Sequence, residues 1–290
     1  MKSEHLRMMV QFALEEDIRE GDITTLATVG EGEKGEAQVI ARQDLVLAGA
    51  EAALMVYQQL GMRFGGVSVN FRHGDGKFIR DKELIAEIEG SLRTILSGER
   101  TFLNFLCRLS GIATYTWECV REVKGTKAQI LDTRKTTPGF RRLEKNAVFA
   151  GGAKNHRFGL YDMFLIKENH ISAAGGITRA FRMVKDFMRE QSLPRGIKIE
   201  IEVRNLKEFE IAIELAPDII MLDNFSFDDV IKAVNIRDKK AKKVKLEVSG
   251  GLRKGKLRKV ALTGVDFLSI GALTHSAPAA DITMLIKKSV

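Results

Sequence analysis

Residues 196–223 read "GIKIEIEVRNLKEFEIAIELAPDIIMLD". Two short apolar runs, GIKIEIEV (196–203) and DIIMLD (218–223), flank a helical pattern, NLKEFEIAIELA (205–216). Strand, helix and strand in this order predict a βαβ unit, and hence a parallel sheet. The same rhythm extends in both directions. AQILDT (128–133) and DMFLIK (162–167) precede it, KVKLEVS (243–249) and VDFLSIG (265–271) follow it, and FDDVIKAV (227–234) supplies another helical stretch. Six or seven such units in this length fit a small closed or nearly closed α/β barrel better than an open sheet, which the spacing also allows.

A barrel places its functional groups at the C-terminal ends of its strands. Here the runs end on Asp132, Thr133 and Arg134, on Lys167, on Glu202, on Asp223, on Ser249, Gly250 and Gly251, and on Gly271. Ionisable groups and glycines at so many strand ends point to one site on one rim.

Before residue 128 the pattern differs. Leu6, Met9, Val10, Ala13 and Leu14 recur at helical spacing, and AEAALMVYQQLG (50–61) continues as helix from a strand-like GEAQVIARQDLVLAG (35–49). VSVNFRHGDGKFIRDKELIAEIEG (67–90) reads as strands with glycine-rich turns, and a long helical pattern begins at GERTFLNFLC (98–107). This first part is α+β in character.

The 290 residues are 44% hydrophobic and carry 46 Lys and Arg against 38 Asp and Glu, a formal charge of +8. Such a chain buries a substantial core and favours anionic partners, whether nucleic acid, a membrane surface or phosphorylated small molecules. No apolar run reaches the ~20 residues that span a bilayer, and the N-terminus is too acidic for a signal peptide. Cys107 and Cys119 fall in one helical pattern, about 18 Å apart at 1.5 Å per residue, so both are read as reduced thiols of a cytoplasmic protein.

Two motifs mislead. GEGEKG (30–35) matches a dinucleotide fingerprint but precedes a strand, and its glutamates would repel pyrophosphate. GGLRKGKL (250–257) resembles a P-loop, yet Leu257 stands where that motif needs a hydroxyl. Its glycines could still bind phosphate through backbone N–H groups, or form an ordinary strand-to-helix turn. The run RDKKAKKVK (237–245) reads as a solvated helix end and loop. His5, His73 and His170 are scattered, and no Cys/His spacing suits zinc.

Arg134, Lys135, His156, Arg157 and Lys167 form a dense cationic set. Arginine's planar fork suits carboxylate or phosphate, so the set implies a ligand with several negative charges. Glu202 and Asp223 either neutralise these cations or hold a hard cation such as magnesium. Alternation along the strand places Glu200 on the same face as Glu202.

The stretches LDTRKTTPGFRRLEKNAVFAGGAKNHRFGLYDMFLIKENHI (131–171), IEIEV (199–203), IIMLDNF (219–225), VSGG (248–251) and VDFLSIGALTHSAP (265–278) closely resemble the quinolinate phosphoribosyltransferase family. ALEEDIREGDITT (13–25) and LSGERTFLNFLCRLSGIAT (96–114) do so too, so the resemblance covers nearly the whole chain. It implies an N-terminal α/β sandwich domain at 1–112, with the tail 275–290 packing back on it, and an incomplete TIM-like α/β barrel at 113–274. It implies a homodimer or an assembly of dimers. It also implies transfer of phosphoribosyl from phosphoribosyl pyrophosphate to quinolinate with decarboxylation, and with Mg2+. Carried onto this chain, Arg134, His156, Arg157 and Lys167 bind quinolinate, joined by Arg100 from the partner subunit. Lys135, Glu202 and Asp223 contact ribose, pyrophosphate and metal, and Ser249, Gly250, Gly251 and Gly271 cradle the 5-phosphate. The rivals are a paralogue of the same fold with another substrate and a basic nucleic-acid-binding protein. Cations at strand ends among glycines argue for a pocket, and against an open nucleic-acid face.

Overall fold

The computed structural model describes residues 2–194 and 196–287. In chain order its elements begin with α1 (Lys2–Ile18), α2 (Ile23–Thr28), β1 (Lys34–Ala41), β2 (Leu45–Val46), α3 (Ala50–Phe64), β3 (Val67–Phe71), β4 (Phe78–Ile79), β5 (Leu84–Ser91) and the long α4 (Leu92–Glu122). There follow β6 (Gln129–Leu131), α5 (Arg141–Ala150), β7 (Phe164–Ile166), α6 (Glu168–Ala174), α7 (Ile177–Glu190), β8 (Ile199–Val203) and α8 (Leu206–Glu214). The last are β9 (Ile219–Asp223), α9 (Phe227–Lys240), β10 (Lys245–Ser249), α10 (Leu257–Ala261), β11 (Phe267–Ser269), α11 (Ala272–His275) and β12 (Ile282–Lys287). All six apolar runs of the second half are strands. The chain divides into two units. One comprises Met1–Trp117, Thr137–Gly152 and Ser276–Val290, and the other Glu118–Thr136 and Ala153–His275.

The first unit is built on an antiparallel sheet of order β12-β1-β5-β3, with β2 and β4 paired separately. Strand β1 alternates as its sequence suggests, burying Ala37, Val39 and Ala41. Helix α1 buries Leu6, Val10, Leu14 and Ile18, a stripe at i, i+4 spacing. Each such side chain contributes about 1.5–3 kcal/mol relative to exposure, and that burial, more than propensity, holds the helix. Helix α4 starts six residues before the GERT pattern, at Leu92, because Thr94 and Ile95 are already buried. Arg100 therefore lies in its third turn, exposed, and not at a helix start.

The second unit is a parallel sheet of order β6-β11-β10-β9-β8-β7. Its first strand, β6, pairs with its last, β11. On its other side β6 makes a single parallel bridge, Leu131 to Lys154. Among the described residues no pairing joins this bridge to β7, so the barrel stays open there. The strand faces that helices cover are largely apolar. β9 buries Ile219, Ile220, Met221 and Leu222. In β8 the alternation sends Ile199, Ile201 and Val203 to one face and Glu200 and Glu202 to the other. Helices α8 and α9 start at side-chain caps, Asn205 to the Glu208 N–H and Ser226 to the Asp229 N–H.

The run 237–245 departs from its reading as a solvated segment. Lys239, Lys240, Lys242 and Lys243 are exposed, but Arg237 is buried. It donates to Asp266 Oδ2 at 2.7 Å, to Gly264 O at 3.0 Å and to Val244 O at 3.3 Å. A composition-based reading treats the run as uniform, whereas the turn of α9 aims Arg237 alone at the sheet. No helix among the described residues is long and apolar enough to cross a membrane.

Candidate active site

The C-terminal ends of the second unit's strands carry eleven of the twelve residues expected at the site. Arg134 and Lys135 follow β6, Lys167 follows β7, Glu202 lies on β8, and Asp223 ends β9. Ser249 to Gly251 end β10, Gly271 follows β11, and His156 and Arg157 sit on the segment after the Lys154 bridge. The twelfth, Arg100, belongs to the first unit.

Asp132, fully buried just past β6, organises the cationic lobe. Its Oδ1 accepts the His156 backbone N–H at 2.8 Å. Asp162 closes the loop beyond by accepting the N–H groups of Phe158 at 2.6 Å and Gly159 at 2.9 Å. Arg157 Nη1 donates to Met163 O at 3.1 Å. The Nε atoms of Arg134 and Arg157 are both buried and have no hydrogen-bond partner. Burial, and then the charge of Arg134, hold the Arg157 guanidinium below its ordinary pKa. An unmet buried donor on a charged group costs about 1–3 kcal/mol or more. Two such donors on neighbouring guanidinium groups could be met by an anion.

The acidic lobe faces this set. Glu202 Oε2 lies 2.9 Å from Lys167 Nζ. Asp223 Oδ2 accepts from Asn224 Nδ2 at 2.9 Å, and Asn224 adopts a left-handed φ of 55°. Asparagine tolerates that conformation better than most residues. The two glutamates of IEIEV separate by depth: Glu202 reaches the rim, whereas Glu200 is fully buried inside the barrel. Glu200 Oε2 meets His156 Nε2 at 3.0 Å, and Glu247 Oε1 lies 3.5 Å from the same nitrogen. Ser269 donates its hydroxyl to Glu247. Burial pushes the carboxyl pKa of Glu200 up. It does the same for Glu247, where the neighbouring Glu200 adds to the effect. His156, Glu200 and Glu247 offer ligand atoms within 4.8 Å of one another, but the hydrogen bonds among them account for that closeness. Glu202 and Asp223, at the ends of adjacent strands, are the rim carboxylates that could hold a hard cation. Magnesium takes one or two carboxylates and completes its shell with water and substrate phosphates.

Glycine is required at Gly250 and fits a tight space at Gly271 on the remaining rim. A Cβ on Gly250, whose φ is 95°, would lie 2.1 Å from Asn224 Oδ1. A Cβ on Gly271 would lie 3.0 Å from Lys135 Cδ and 3.1 Å from His275 Nε2. Gly251 follows with φ 62° and open space around it. Helix α10 begins only at Leu257, so the GGLRKGKL glycines form a loop of exposed backbone and do not open a helix directly. Thr274 Oγ1 donates to Lys135 O at 2.7 Å and ties the ends of β6 and β11 together.

Sequence reasoning places Asp132 at the rim but misses Asn224, Glu247 and Ser269 as parts of the site. Glu247 and Ser269 lie two residues before Ser249 and Gly271, so the alternation that puts those on the inner face puts these there too. Nothing in the sequence signals the pairing of Asn224 with Gly250.

The family model describing the quinolinate phosphoribosyl transferase N-terminal domain matches residues 22–110, and that for the C-terminal domain matches residues 112–285. A nicotinate-nucleotide pyrophosphorylase (carboxylating) of Mycobacterium leprae is 42% identical over 279 residues, covering 95% of each chain. A probable enzyme of the same name from Bacillus subtilis is 38% identical, over 96% of this chain and 92% of that one. The solved structure of the nicotinate-nucleotide pyrophosphorylase from Francisella tularensis superposes with a TM-score of 0.90 at 40% identity, over 98% of this chain and 96% of that one.

Proposed function

The chain belongs to the quinolinate phosphoribosyltransferase family, and from that membership we propose how its rim performs the family's reaction. It is a pentosyltransferase of NAD biosynthesis. It joins quinolinate to the ribose of phosphoribosyl pyrophosphate, giving nicotinate mononucleotide, pyrophosphate and CO2.

Arg134, Arg157 and Lys167 hold the two carboxylates of quinolinate, with Arg100 supplied by the partner subunit of a homodimer. The observation that carries this reading is the pair of unmet Nε donors on Arg134 and Arg157. Ser249, Gly250, Gly251 and Gly271 hold the 5-phosphate, in keeping with phosphate sites on the last strands of barrels. Lys135 takes the leaving pyrophosphate. Glu202 and Asp223 face the ribose and would hold Mg2+, which when bound neutralises charge on the pyrophosphate.

As the bond from ribose to pyrophosphate breaks, positive charge develops on the ribose, and Glu202 and Asp223 stabilise it. The pyridine nitrogen, oriented by the arginines, attacks that carbon. The ring is then cationic, so when the adjacent carboxylate departs as CO2 the electron pair left on that ring carbon is stabilised by the neighbouring positive nitrogen, and a proton from solvent completes nicotinate mononucleotide. No side chain forms a covalent intermediate, so positioning and electrostatics supply the rate. The two free cysteines favour a reducing, cytoplasmic setting. Incubation with quinolinate, phosphoribosyl pyrophosphate and Mg2+ tests the reading. Mononucleotide and CO2 should form in equal amounts and only when phosphoribosyl pyrophosphate is present, and CO2 release without mononucleotide would refute it.

A further inference from the structure

The family resemblance implies that His156 binds quinolinate, but its ring is committed elsewhere. The side chain is 7% exposed. Its Nδ1 lies 2.8 Å from the backbone nitrogen of Arg157, which can only donate, so Nδ1 presents a lone pair. The ring proton then belongs on Nε2, which lies 3.0 Å from Glu200 Oε2. A second carboxyl oxygen, of Glu247, stands 3.5 Å from Nε2 and is itself held by the Ser269 hydroxyl. This is the neutral Nε2–H tautomer, as the hydrogen-bond network assigns it. An imidazolium would carry a proton on Nδ1 facing the Arg157 N–H, donor against donor.

We propose that His156 is a positioning residue that bolts the backbone of Arg157 to the carboxyl pair inside the barrel and does not itself contact quinolinate. The chain of contacts runs Ser269, Glu247, Glu200, His156, Arg157. At the other end of the residue, Asp132 fixes the His156 N–H at 2.8 Å. The segment is therefore held at two consecutive backbone N–H groups, which sets where the Arg157 guanidinium begins. Orienting partners behind a ligand-binding group commonly matter 10- to 100-fold in affinity, on the order of what a lost contact costs. The inference rests on the reading that Arg157 binds quinolinate.

Two measurements on the full-length protein test it. Quinolinate affinity is measured by calorimetry for the wild type, His156→Ala, Arg157→Ala and the double variant. His156→Ala should weaken binding roughly tenfold. In the Arg157→Ala background the same change should add no more than about twofold, because the residue acts only through Arg157. A full tenfold loss repeated in that background would overturn the proposal. Nitrogen NMR of histidine-labelled wild type, with the His156 signals assigned by their loss in His156→Gln, needs no destabilising change. It should show Nε2 protonated and Nδ1 bare, before and after saturation with quinolinate. An imidazolium in either state would overturn the proposal. If wild type fails to bind quinolinate at all, the functional reading falls and takes this inference with it. Binding with independent, multiplying losses sinks this inference alone.

Discussion

Lys167 Nζ and Glu202 Oε2 stand 2.9 Å apart, on the ends of adjacent parallel strands. One is assigned to quinolinate and the other to the ribose and metal, so each neutralises the other until substrates arrive. Glu202→Gln keeps the size of the side chain and removes its charge. It should lower kcat on the order of 10²-fold, as loss of one electrostatic stabiliser does, while the KM for quinolinate stays level or falls because Lys167 is released. Steady-state kinetics checks this, and a raised quinolinate KM with unchanged kcat would contradict it.

Asp223 is held by Asn224 at the end of β9. Asp223→Ala should lower turnover strongly and flatten the dependence of rate on Mg2+, with quinolinate binding intact. Measured by calorimetry and by magnesium titration, the opposite pattern, lost quinolinate binding with a preserved magnesium response, would reverse the roles assigned to the two lobes.

Arg100 lies exposed on α4, in the unit that does not contain the other site residues. If the partner subunit supplies it, Arg100→Ala and Lys167→Ala homodimers should each be nearly inactive. A mixture that exchanges subunits then forms heterodimers with one intact site, and activity should return. Subunit exchange verified by mass, with no return of activity, would show that Arg100 does not act across an interface.

The pair of Arg237 and Asp266, 2.7 Å apart, is a stability feature remote from the strand C-termini. Burial alone would raise the Asp266 pKa. The Leu246 N–H, Lys245 and Arg237 outweigh that and hold it below the ordinary value. Its stabilisation is therefore present above the unfolded pKa of about 3.9 and fades as pH falls through the depressed folded value. Asp266→Asn removes the buried carboxylate and leaves Arg237 with the half-exposed Asp238 and two backbone carbonyls, and it should cost about 1–3 kcal/mol at neutral pH. Denaturant unfolding should also show a shallower loss of stability in acid for the variant than for wild type.

The six strands of the barrel were legible because each is a short apolar run ended by a polar group or glycine, and the rim followed from that. Depth was not legible. The motif IEIEV places Glu200 and Glu202 on one face by alternation, and only the packed barrel distinguishes the rim carboxylate from the buried one. Helix α5 and strand β12 escaped for a different reason. α5 opens with Arg141 and Arg142 beside the cationic motif, so charge masked a helix whose Leu143, Ala147 and Val148 are buried. β12 is a short run near the chain end whose partner, β1, lies far back in sequence. The anion site was legible as charge density, but the two unmet Nε donors are a property of packing that composition does not carry.

Arg134 and Arg157 are proposed to hold two carboxylates, and the most direct measurement compares quinolinate with nicotinate, which lacks one. Initial rates of mononucleotide formation are taken with saturating phosphoribosyl pyrophosphate and Mg2+. A desolvated cation left without its carboxylate costs on the order of 2–5 kcal/mol, so nicotinate should be used at least 30-fold less efficiently in kcat/KM, at about 1.4 kcal/mol per decade. Comparable kcat/KM values for the two substrates would contradict the account.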